Sequence, residues 1–276
     1  MLTVEFLDVG QANAALLTCG GKSLLIDGGN VADGTKVTRA VRTVTDRLDY
    51  VVNTHGHEDH VGGLAAVVDA VPVGQAIVSP VTADSDYYQD FLDALADRGV
   101  TPVAGQVGMQ FPLGDAKCTV LGPVAAGSDL NNSSLVLQVR FGGATFLFMG
   151  DAGAEEERSL IQSGADVSCD VLAVGHHGSG SATGYVFLRQ ALPKYAVISV
   201  GAGNRYGHPA ESTLSRLRDA GCTVYRTDQS GTITIVTDKN GKSAVLHKKM
   251  LYSAAFSAII DTEFYILEEF YLCIVG

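Results

Sequence analysis

The sequence predicts a layered α/β protein made of two similar halves, on three observations. Short apolar, β-branched runs recur along the 276 residues and end in Gly, Asp or His. Helix-like segments lie between these runs. The order strand–Asp–helix–strand–His occurs twice, with Asp-to-His separations of 28 residues (27 to 55) and 25 residues (151 to 176). A duplicated βαβ unit explains this order and places Asp and His at the same sheet edge in both halves.

The predicted strands are buried runs with polar residues at their carboxyl ends. They cover residues 24–29, 50–57, 145–152, 170–178 and 195–201. The predicted helices cover residues 37–48, 87–99, 154–164 and 210–221, and a further helix starts after position 60 with the sequence VGGLAAVVDAV. Loops at the carboxyl ends of strands commonly build the ligand sites of α/β proteins. We therefore expect the functional site where these polar residues gather.

Bulk composition restricts the class of protein and its partners. A hydrophobic content of 46 % and a charged content of 18 % allow a large core and argue against disorder. The formal net charge of −11 argues against broad binding to a nucleic-acid backbone, so no duplex-binding basic patch is expected. A metal-bound phosphate substrate is compatible with this charge, because bound cations dominate the local field.

Cysteine usage and the N-terminus predict a cytoplasmic protein. The five cysteines are isolated and form no CxxC pair, which favours reduced thiols over a disulfide framework. The first residues, MLTVEFLDVG, begin a strand pattern without a basic or long apolar leader, so no signal peptide is expected. No stretch of 18 apolar residues occurs, so no membrane span is expected.

The stretch VVNTHGHEDHVGGL, residues 51–64, is the strongest functional signal. Its H-x-H-x-D-H spacing is formed by His55, His57, Asp59 and His60. Residues two apart in an extended segment point to the same side, which brings His55 and His57 together. Imidazole and carboxylate groups suit zinc, manganese or iron, and packing alone does not explain three histidines in six positions. We interpret the segment as a metal site, with the glycine pair at 62–63 allowing close packing behind it.

The second half supplies matching polar residues. Asp151 follows one predicted strand, His176 and His177 lie at the end of the next, and His208 follows the strand 195–201. Together with residues 55–60, six of the seven histidines thus lie at three strand ends, and only His247, beside two lysines, is predicted at the surface. A carboxylate at Asp151 suits a bridge between two metals, while the alternative is a helix N-cap, because AEEERSL follows. Asp27 precedes Gly-Gly, so an alternative to a functional role is that it is a turn residue. We favour a role for Asp27 in orienting a ligand histidine.

These motifs resemble the metallo-β-lactamase superfamily, whose HxHxDH marker reads HGHEDH at residues 55–60. The chain is similar in particular to the C-terminal hydrolase domain of ComEC competence proteins and their soluble relatives. The matching stretches are FLDVGQ, LLIDGG, NNSSLVL, FMGDA, VGHHGS, ISVGAGNRYGHP and YRTDQSGTI, which fall in the family order over roughly residues 1–240. The resemblance implies an αββα sandwich with a two-metal site at one edge of its sheets.

The resemblance also implies which residues bind two divalent ions, zinc or manganese. The implied ligands are His55, His57, Asp59, His60, Asp151 and His177. His55 and His57 would hold one ion, and Asp151 would bridge the two ions. The second ion would be held by Asp59, His60 and His177, and Asp59 is also expected to be catalytic. Of the histidine pair we favour His177 as the ligand and His176 as a phosphate contact.

Two departures from the family pattern affect this expectation. Many members have a histidine before the strand that leads to Asp151, whereas this chain reads DLNNSSLVL. The first metal position is then open, or Asn132 or a water completes it. The branch also commonly has an acid after DVGQ, whereas this chain has Asn13.

The implied reaction is hydrolysis of a phosphodiester, a nucleotide or short single-stranded nucleic acid, by a hydroxide held between the two ions. The loop GSGSATG, residues 178–184, offers Ser179 and backbone N–H groups to an anion, with a flexible turn as the alternative. The loop NRYGHP presents Tyr206 and His208. We favour His208 as a phosphate-binding or leaving-group-protonating residue, with a turn fixed by Pro209 as the alternative.

Two other functions stay open at this point. One is hydrolysis of a lactam, lactone or thioester by the same metal site. The other is a weakly active metal-binding accessory domain, which the missing histidine suggests. The hydrolase domain is expected to span residues 1–249, and the apolar, acid-bearing tail 250–276 lies outside the resemblance. The acids of the tail argue against a membrane span, and the alternatives are a helix on the body, a homodimer contact, or residues outside the natural domain.

Overall fold

The computed structural model describes residues 1–247. The predicted tail 250–276 and the predicted domain boundary at residue 249 lie outside these residues. Within residues 1–247, none of the helices combines the length and the apolar character needed to cross a membrane.

The first of two sheets has eight strands. They are β1 Leu2–Phe6, β2 Ala15–Cys19, β3 Lys22–Ile26, β4 Leu48–Asn53, β5 Val73–Val78, β6 Val103–Ala104, β14 Ile233–Thr237 and β15 Ser243–His247. Their spatial order is β15-β14-β1-β2-β3-β4-β5-β6. The strands from β3 to β6 run parallel to one another, while the remaining neighbours pair antiparallel.

The second sheet has seven strands and the same mixed character. They are β7 Gln110–Leu113, β8 Ala116–Gly122, β9 Val136–Phe141, β10 Ala144–Phe148, β11 Val171–Ala173, β12 Tyr195–Ile198 and β13 Thr223–Arg226. Their order is β13-β12-β11-β10-β9-β8-β7, with β10 to β13 parallel. Parallel strands need crossover connections, and helices provide them here.

Helices cover the outer faces of both sheets. They are α1 Gly34–Val44, α2 Glu58–Val61, α3 Leu64–Ala70, α4 Asp86–Asp97, α5 Ala154–Gln162, α6 Tyr185–Ala191, α7 Glu211–Asp219 and α8 Thr227–Ser230. Apolar side chains of α1, α3 and α4 pack on the first sheet, where Leu25 and Val51 are fully buried. Those of α5, α6 and α7 pack on the second sheet, against Leu147 and Leu172.

The main core lies between the two sheets. Strand β1 alternates buried and half-buried residues, which is the pattern of a strand with one face in a core. Its Phe6 stacks on Phe148 of β10, with ring centroids 5.8 Å apart. Burying each such side chain stabilises the fold by about 1.5–3 kcal/mol. The layers are therefore helix, sheet, sheet, helix, which confirms the predicted αββα sandwich.

The two predicted halves are also present, but their strands are shorter than expected. In the first, β3 and β4 are parallel and joined by α1, and in the second β10 and β11 are parallel and joined by α5. The strands end before the polar residues that the sequence assigned to them. Asp27, His176 and His177 adopt left-handed backbone conformations with φ of 57°, 51° and 52°, which a strand cannot accommodate.

A close backbone contact ties the first half together behind α2. The N–H of Gly63 donates to the carbonyl of Gly29 at 3.0 Å, and the N–H of Gly28 donates to the carbonyl of His60 at 2.7 Å. A Cβ atom added to Gly63 would lie 2.1 Å from the carbonyl oxygen of Gly28. The glycine at this position is thus required by backbone approach, as the sequence predicted.

Replacing Gly63 with Ala is expected to destabilise the protein by about 1–3 kcal/mol, because the backbone must move to admit the methyl group. Urea unfolding followed by circular dichroism measures this loss. Gly180→Ala is the matched control, because Gly180 is exposed and its added Cβ would come no nearer than 3.3 Å to any atom, the Ser212 hydroxyl oxygen. Equal stability of both variants would contradict the expectation.

Candidate metal centre

Four loops at one edge of the sandwich carry the predicted site residues, and each follows a parallel strand. Asp27 follows β3, the segment 55–60 follows β4 and includes α2, Asp151 follows β10, and the histidine pair 176–177 follows β11. Three of these residues hold the strained left-handed conformations given above. Strain of this kind costs on the order of 1–3 kcal/mol per residue and is concentrated at functional sites.

Asp27 links the end of β4 to the histidine of α2. Its carboxylate is buried and accepts the backbone N–H of Thr54 at 2.8 Å and the Thr54 hydroxyl at 2.7 Å. The same carboxylate lies 2.7 Å from Nδ1 of His60. Because a carboxylate only accepts, Nδ1 carries the proton. Asp27 therefore sits at a turn and also orients the ring of His60.

The ring of His177 is oriented in a similar way by the other sheet. Its Nδ1 lies 2.9 Å from the carbonyl oxygen of Ser199, just beyond β12, and so donates to it. With one proton on Nδ1, the Nε2 atoms of both rings carry a proton only when the ring is cationic, and both face carboxylates. That of His60 lies 3.1 Å from Oδ1 of Asp151, and that of His177 lies 3.1 Å from Oδ2 of Asp59.

This arrangement fits a divalent cation. One ligand atom from each of Asp59, His60, Asp151 and His177 lies within 4.8 Å of the other three. Lone pairs of nitrogen and oxygen face one another, so a second proton or a cation must lie between them. Nε2 of His60 and Oδ1 of Asp151 are fully buried and make no hydrogen bond despite their 3.1 Å separation. Two imidazoles and two carboxylates form a ligand set that zinc and manganese accept.

The charges of the centre are strongly coupled. Burial by itself would lower the pKa of His60, but Asp151 and Asp27 outweigh it and hold that pKa well above its usual value. Burial opposes ionisation of Asp151, yet the charges of His60 and His177 keep its pKa well below the usual range. Burial likewise opposes ionisation of Asp59, but a hydrogen bond from His177 lowers its pKa to about 2. Asp59 and Asp151 are therefore anionic, which suits the binding of a cation.

His55 and His57 lie beside this cluster as a separate pair. Nε2 of His55 is 3.0 Å from Nδ1 of His57. Burial, followed by the charge of His60, holds the pKa of His55 well below its usual value, which leaves the ring neutral. Ser134, in the DLNNSSLVL stretch, has its hydroxyl 3.3 Å from Nδ1 of His55. Ser134 also accepts the N–H of Asp151 at 3.0 Å, so it joins the two halves of the site.

A row of rings leads outward from the centre. Nε2 of His176 lies 3.7 Å from Oδ2 of Asp151, and its ring stands edge-on to that of His208 at 5.6 Å. The His208 ring stacks on Tyr206 at 5.8 Å, and Tyr206 is 57 % exposed. Burial and then the neighbouring His176 lower the pKa of His208, which favours its neutral form.

A cleft of about 220 Å³ opens beside this row. Its lining residues are Asp129, Asn131, Asn132, Asp151, Gly153, Ala154, Glu155, His176 and Ser181. The lining serine is Ser181, whereas the predicted Ser179 is buried and pairs its hydroxyl with that of Ser181 at 3.0 Å. Asn132 lines the cleft, but its Oδ1 accepts the N–H of Gly153 at 3.2 Å rather than approaching the 55/57 pair.

Two of the alternative structural roles, a helix cap at Asp151 and a free turn at 178–184, are not found in the structure. The residue at the N-cap of α5 is Gly153, so Asp151 is not the cap. The loop 178–184 is not a free turn, because Glu157 accepts the N–H groups of Thr183 and Gly184. His247, which the sequence placed at the surface, is half-buried in β15, with its ring 6.0 Å from Tyr225.

Sequence reasoning missed the supporting residues. Thr54 and Ser134 touch the histidines, and both stand within or beside motifs that the sequence analysis singled out for other residues. Ser199 contributes only its carbonyl, which no side-chain motif reveals.

Comparison with known proteins places this fold and site in a family. The profile of the metallo-beta-lactamase superfamily matches residues 7–202. The chain belongs to the metallo-β-lactamase superfamily. Among curated proteins it is 31 % identical to ComE operon protein 3 of Bacillus subtilis (strain 168), over 83 % of this chain and 32 % of that protein. It is also 31 % identical to competence protein ComA of Neisseria gonorrhoeae, over 87 % of this chain and 33 % of that protein.

These matches confirm the resemblance to the ComEC-like branch of the superfamily, and the chain spans about a third of the length of the curated relatives it matches. A solved structure of the same fold is the metallo-beta-lactamase fold protein YhfI from Bacillus subtilis, with a TM-score of 0.57 and 14 % identity over 89 % of this chain and all of that one. Family and ligand cluster together support the broad class predicted from the sequence, a metal-dependent hydrolase of the metallo-β-lactamase superfamily.

Proposed function

We propose that this domain hydrolyses phosphodiesters, in a nucleotide or a short single-stranded nucleic acid, with the help of divalent metal ions. The observation that carries the proposal is the row His176, His208 and Tyr206, which leads outward from Asp151. Imidazoles beside the candidate metal centre suit the oxygens of a phosphate. An exposed tyrosine at the end of the row suits a stacked base.

The proposed metal ligands are those expected from the sequence, but the two metal positions differ in the number of ligands that they offer. Asp59, His60, Asp151 and His177 form a complete four-residue set. His55 and His57 offer two imidazoles, and Asp151 would be the carboxylate shared with them, so we propose that zinc or manganese binds there more weakly. Bound ions of this kind supply a water nucleophile active at neutral pH and positive charge for the phosphate oxygens. Asp27 and the carbonyl of Ser199 keep the ligand rings in the required tautomer.

Other features support a small or single-stranded substrate. The cleft of about 220 Å³ holds the reacting phosphate and its neighbours rather than a whole duplex. The net charge of −11 disfavours long contacts with a nucleic-acid backbone. Relatives named for competence and, in Haemophilus influenzae, for recombination support a nucleic-acid substrate. A cytoplasmic location is part of the same proposal and rests on the isolated cysteines of the sequence.

Turnover assays test the substrate class. We expect the metal-free protein to be inactive and the protein reconstituted with zinc or manganese to cleave bis-nitrophenyl phosphate and short single-stranded oligonucleotides. A chromogenic lactam and a thioester are measured alongside. Efficient cleavage of either of these, with no phosphodiester turnover under any metal, would overturn the proposal. Stoichiometric metal binding without turnover on the whole panel would favour an accessory domain instead.

His208→Ala is expected to slow phosphodiester turnover by about 10–100-fold while metal content is unchanged. A hydrogen bond from a neutral imidazole to a charged phosphate contributes about 1.5–3 kcal/mol. The lowered pKa of His208 favours this contact over proton donation, so the loss should be similar for nitrophenolate and nucleoside leaving groups. A much larger loss for the nucleoside would instead identify a general acid. His247→Ala, in β15, is the control, and wild-type activity of His208→Ala would remove the residue from the mechanism.

A further inference from the structure

The loop between β12 and α7 carries Tyr206 and His208, and one side chain organises it. Asn204 lies half-buried at the middle of this loop. Its Nδ2 donates to the carbonyl oxygen of Gly201 at 2.9 Å and to that of His208 at 2.6 Å. Its Oδ1 accepts the backbone N–H of Tyr206 at 3.1 Å and that of His208 at 3.0 Å.

The amide of Asn204 therefore holds both polar backbone groups of His208 at once. A carboxamide has two N–H donors and one oxygen with two lone pairs. The four hydrogen bonds above use both donors and both lone pairs. Asn204 has no remaining capacity to contact a substrate, so any effect it has on catalysis must pass through the loop that it holds.

The loop is also attached to the first half of the sandwich. The side-chain oxygen of Gln11, in the FLDVGQ stretch, accepts the N–H of Gly201 at 3.1 Å. A Cβ atom added to Gly201 would lie 2.6 Å from the backbone nitrogen of Gln11, so the two segments are in close contact. On its other side, a Cβ atom added to Gly178 would lie 2.6 Å from Cβ of Pro209. Asn204 thus connects His208 to a loop that is packed against both halves.

We propose that Asn204 is a positioning residue, which sets the place of the His208 ring relative to His176 and Asp151. The inference rests on the proposed function, because it assigns Asn204 an effect only through His208. Removing the two Nδ2 donors releases the carbonyls of Gly201 and His208, and the ring can then leave its position 5.6 Å from His176. Residues 202–207 of this loop are mostly exposed, so we expect the sandwich to keep its fold when Asn204 is changed.

A double-mutant cycle with His208 tests the proposal. Asn204→Asp keeps the size and the acceptor oxygen of the side chain but loses both donors. We expect it to slow turnover of bis-nitrophenyl phosphate by about 10-fold, with unchanged metal content by elemental analysis. In a His208→Ala background, the same change should alter turnover by less than about 2-fold, because the imidazole that Asn204 positions is already absent. Asn204→Ala, checked for folding by circular dichroism, provides a second variant.

Asn240→Asp is the matched control, because it makes the same change in the exposed turn between β14 and β15. A 10-fold loss that persists at full size in the His208→Ala background would overturn the proposal, since Asn204 would then act independently. Wild-type turnover of Asn204→Asp while His208→Ala is impaired would also overturn it and leave the proposed function intact. Wild-type turnover of His208→Ala itself would remove both the His208 contact and this inference.

Discussion

Asp151→Asn is expected to lower phosphodiester turnover by about 10²–10⁴-fold and to reduce the bound metal. Asp151 is buried and lies 3.1 Å from Nε2 of His60 and 3.7 Å from Nε2 of both His176 and His177. Asn has nearly the same shape, so the loss would report the charge of the carboxylate. A charge that holds the metal position and stabilises the transition state contributes several kcal/mol. Turnover of bis-nitrophenyl phosphate and metal analysis after dialysis measure the two effects.

The control for this variant is Asp166→Asn, which neutralises a surface acid paired with Arg140. A thermal unfolding curve in the absence of metal separates loss of the ion from loss of the fold. Full metal content and wild-type turnover in Asp151→Asn would contradict the assignment of this residue as a shared ligand.

Asp27→Asn is expected to weaken metal binding by about 10–100-fold although the residue is not itself placed among the ligands. The carboxylate accepts from Nδ1 of His60 at 2.7 Å and so leaves Nε2 free of a proton. An amide nitrogen at that point repels Nδ1–H and favours the tautomer with the proton on Nε2, the atom that faces Asp151. Titration of the metal-free protein with zinc, followed by calorimetry, gives the affinity.

Asp33→Asn is the control for Asp27, because Asp33 lies in the same segment and accepts the N–H of Asn30 without touching a histidine. Its metal affinity should stay within about 2-fold of the wild type. An unchanged affinity in Asp27→Asn would show that the tautomer of His60 is set by other contacts.

Much of the site was predictable from local patterns. The spacing H-x-H-x-D-H predicted a metal site at residues 55–60, and the repeated strand–Asp–helix–strand–His order placed Asp27 and Asp151 at the same sheet edge. The structure brings these two acids to opposite sides of one ring, at 2.7 Å and 3.1 Å from the two nitrogens of His60. Hydrophobic patterning predicts these positions because buried parallel strands appear in the sequence as apolar runs, and polar residues follow where the strands end.

Other features could not be predicted from local patterns because they depend on distant segments. The division between a complete four-residue cluster and the separate pair His55 and His57 follows from where His177, more than a hundred positions away in the chain, arrives beside Asp59. The sequence predicted Ser179 as the substrate-binding serine, but Ser181 lines the cleft. This difference depends on how Glu157 holds the loop 178–184. The strands were predicted to extend several residues further than they do, because hydrophobic periodicity does not reveal the left-handed backbone at Asp27 and His176.

Local patterns were enough to predict an α/β protein with two similar halves and the chemical types gathered at one edge, because these depend on hydrophobic periodicity and on residues adjacent in the chain. The αββα layer order was implied only by the resemblance to the metallo-β-lactamase superfamily. The tautomers of His60 and His177 became visible only in the folded protein, since they are set by Asp27 and by the carbonyl of Ser199. The tertiary structure likewise decided the orientation of His208, through four hydrogen bonds of Asn204 and the contact of Gln11 with Gly201. Hydrogen-bond geometry of this kind arises where loops from both sheets meet, and no single segment of the chain contains it.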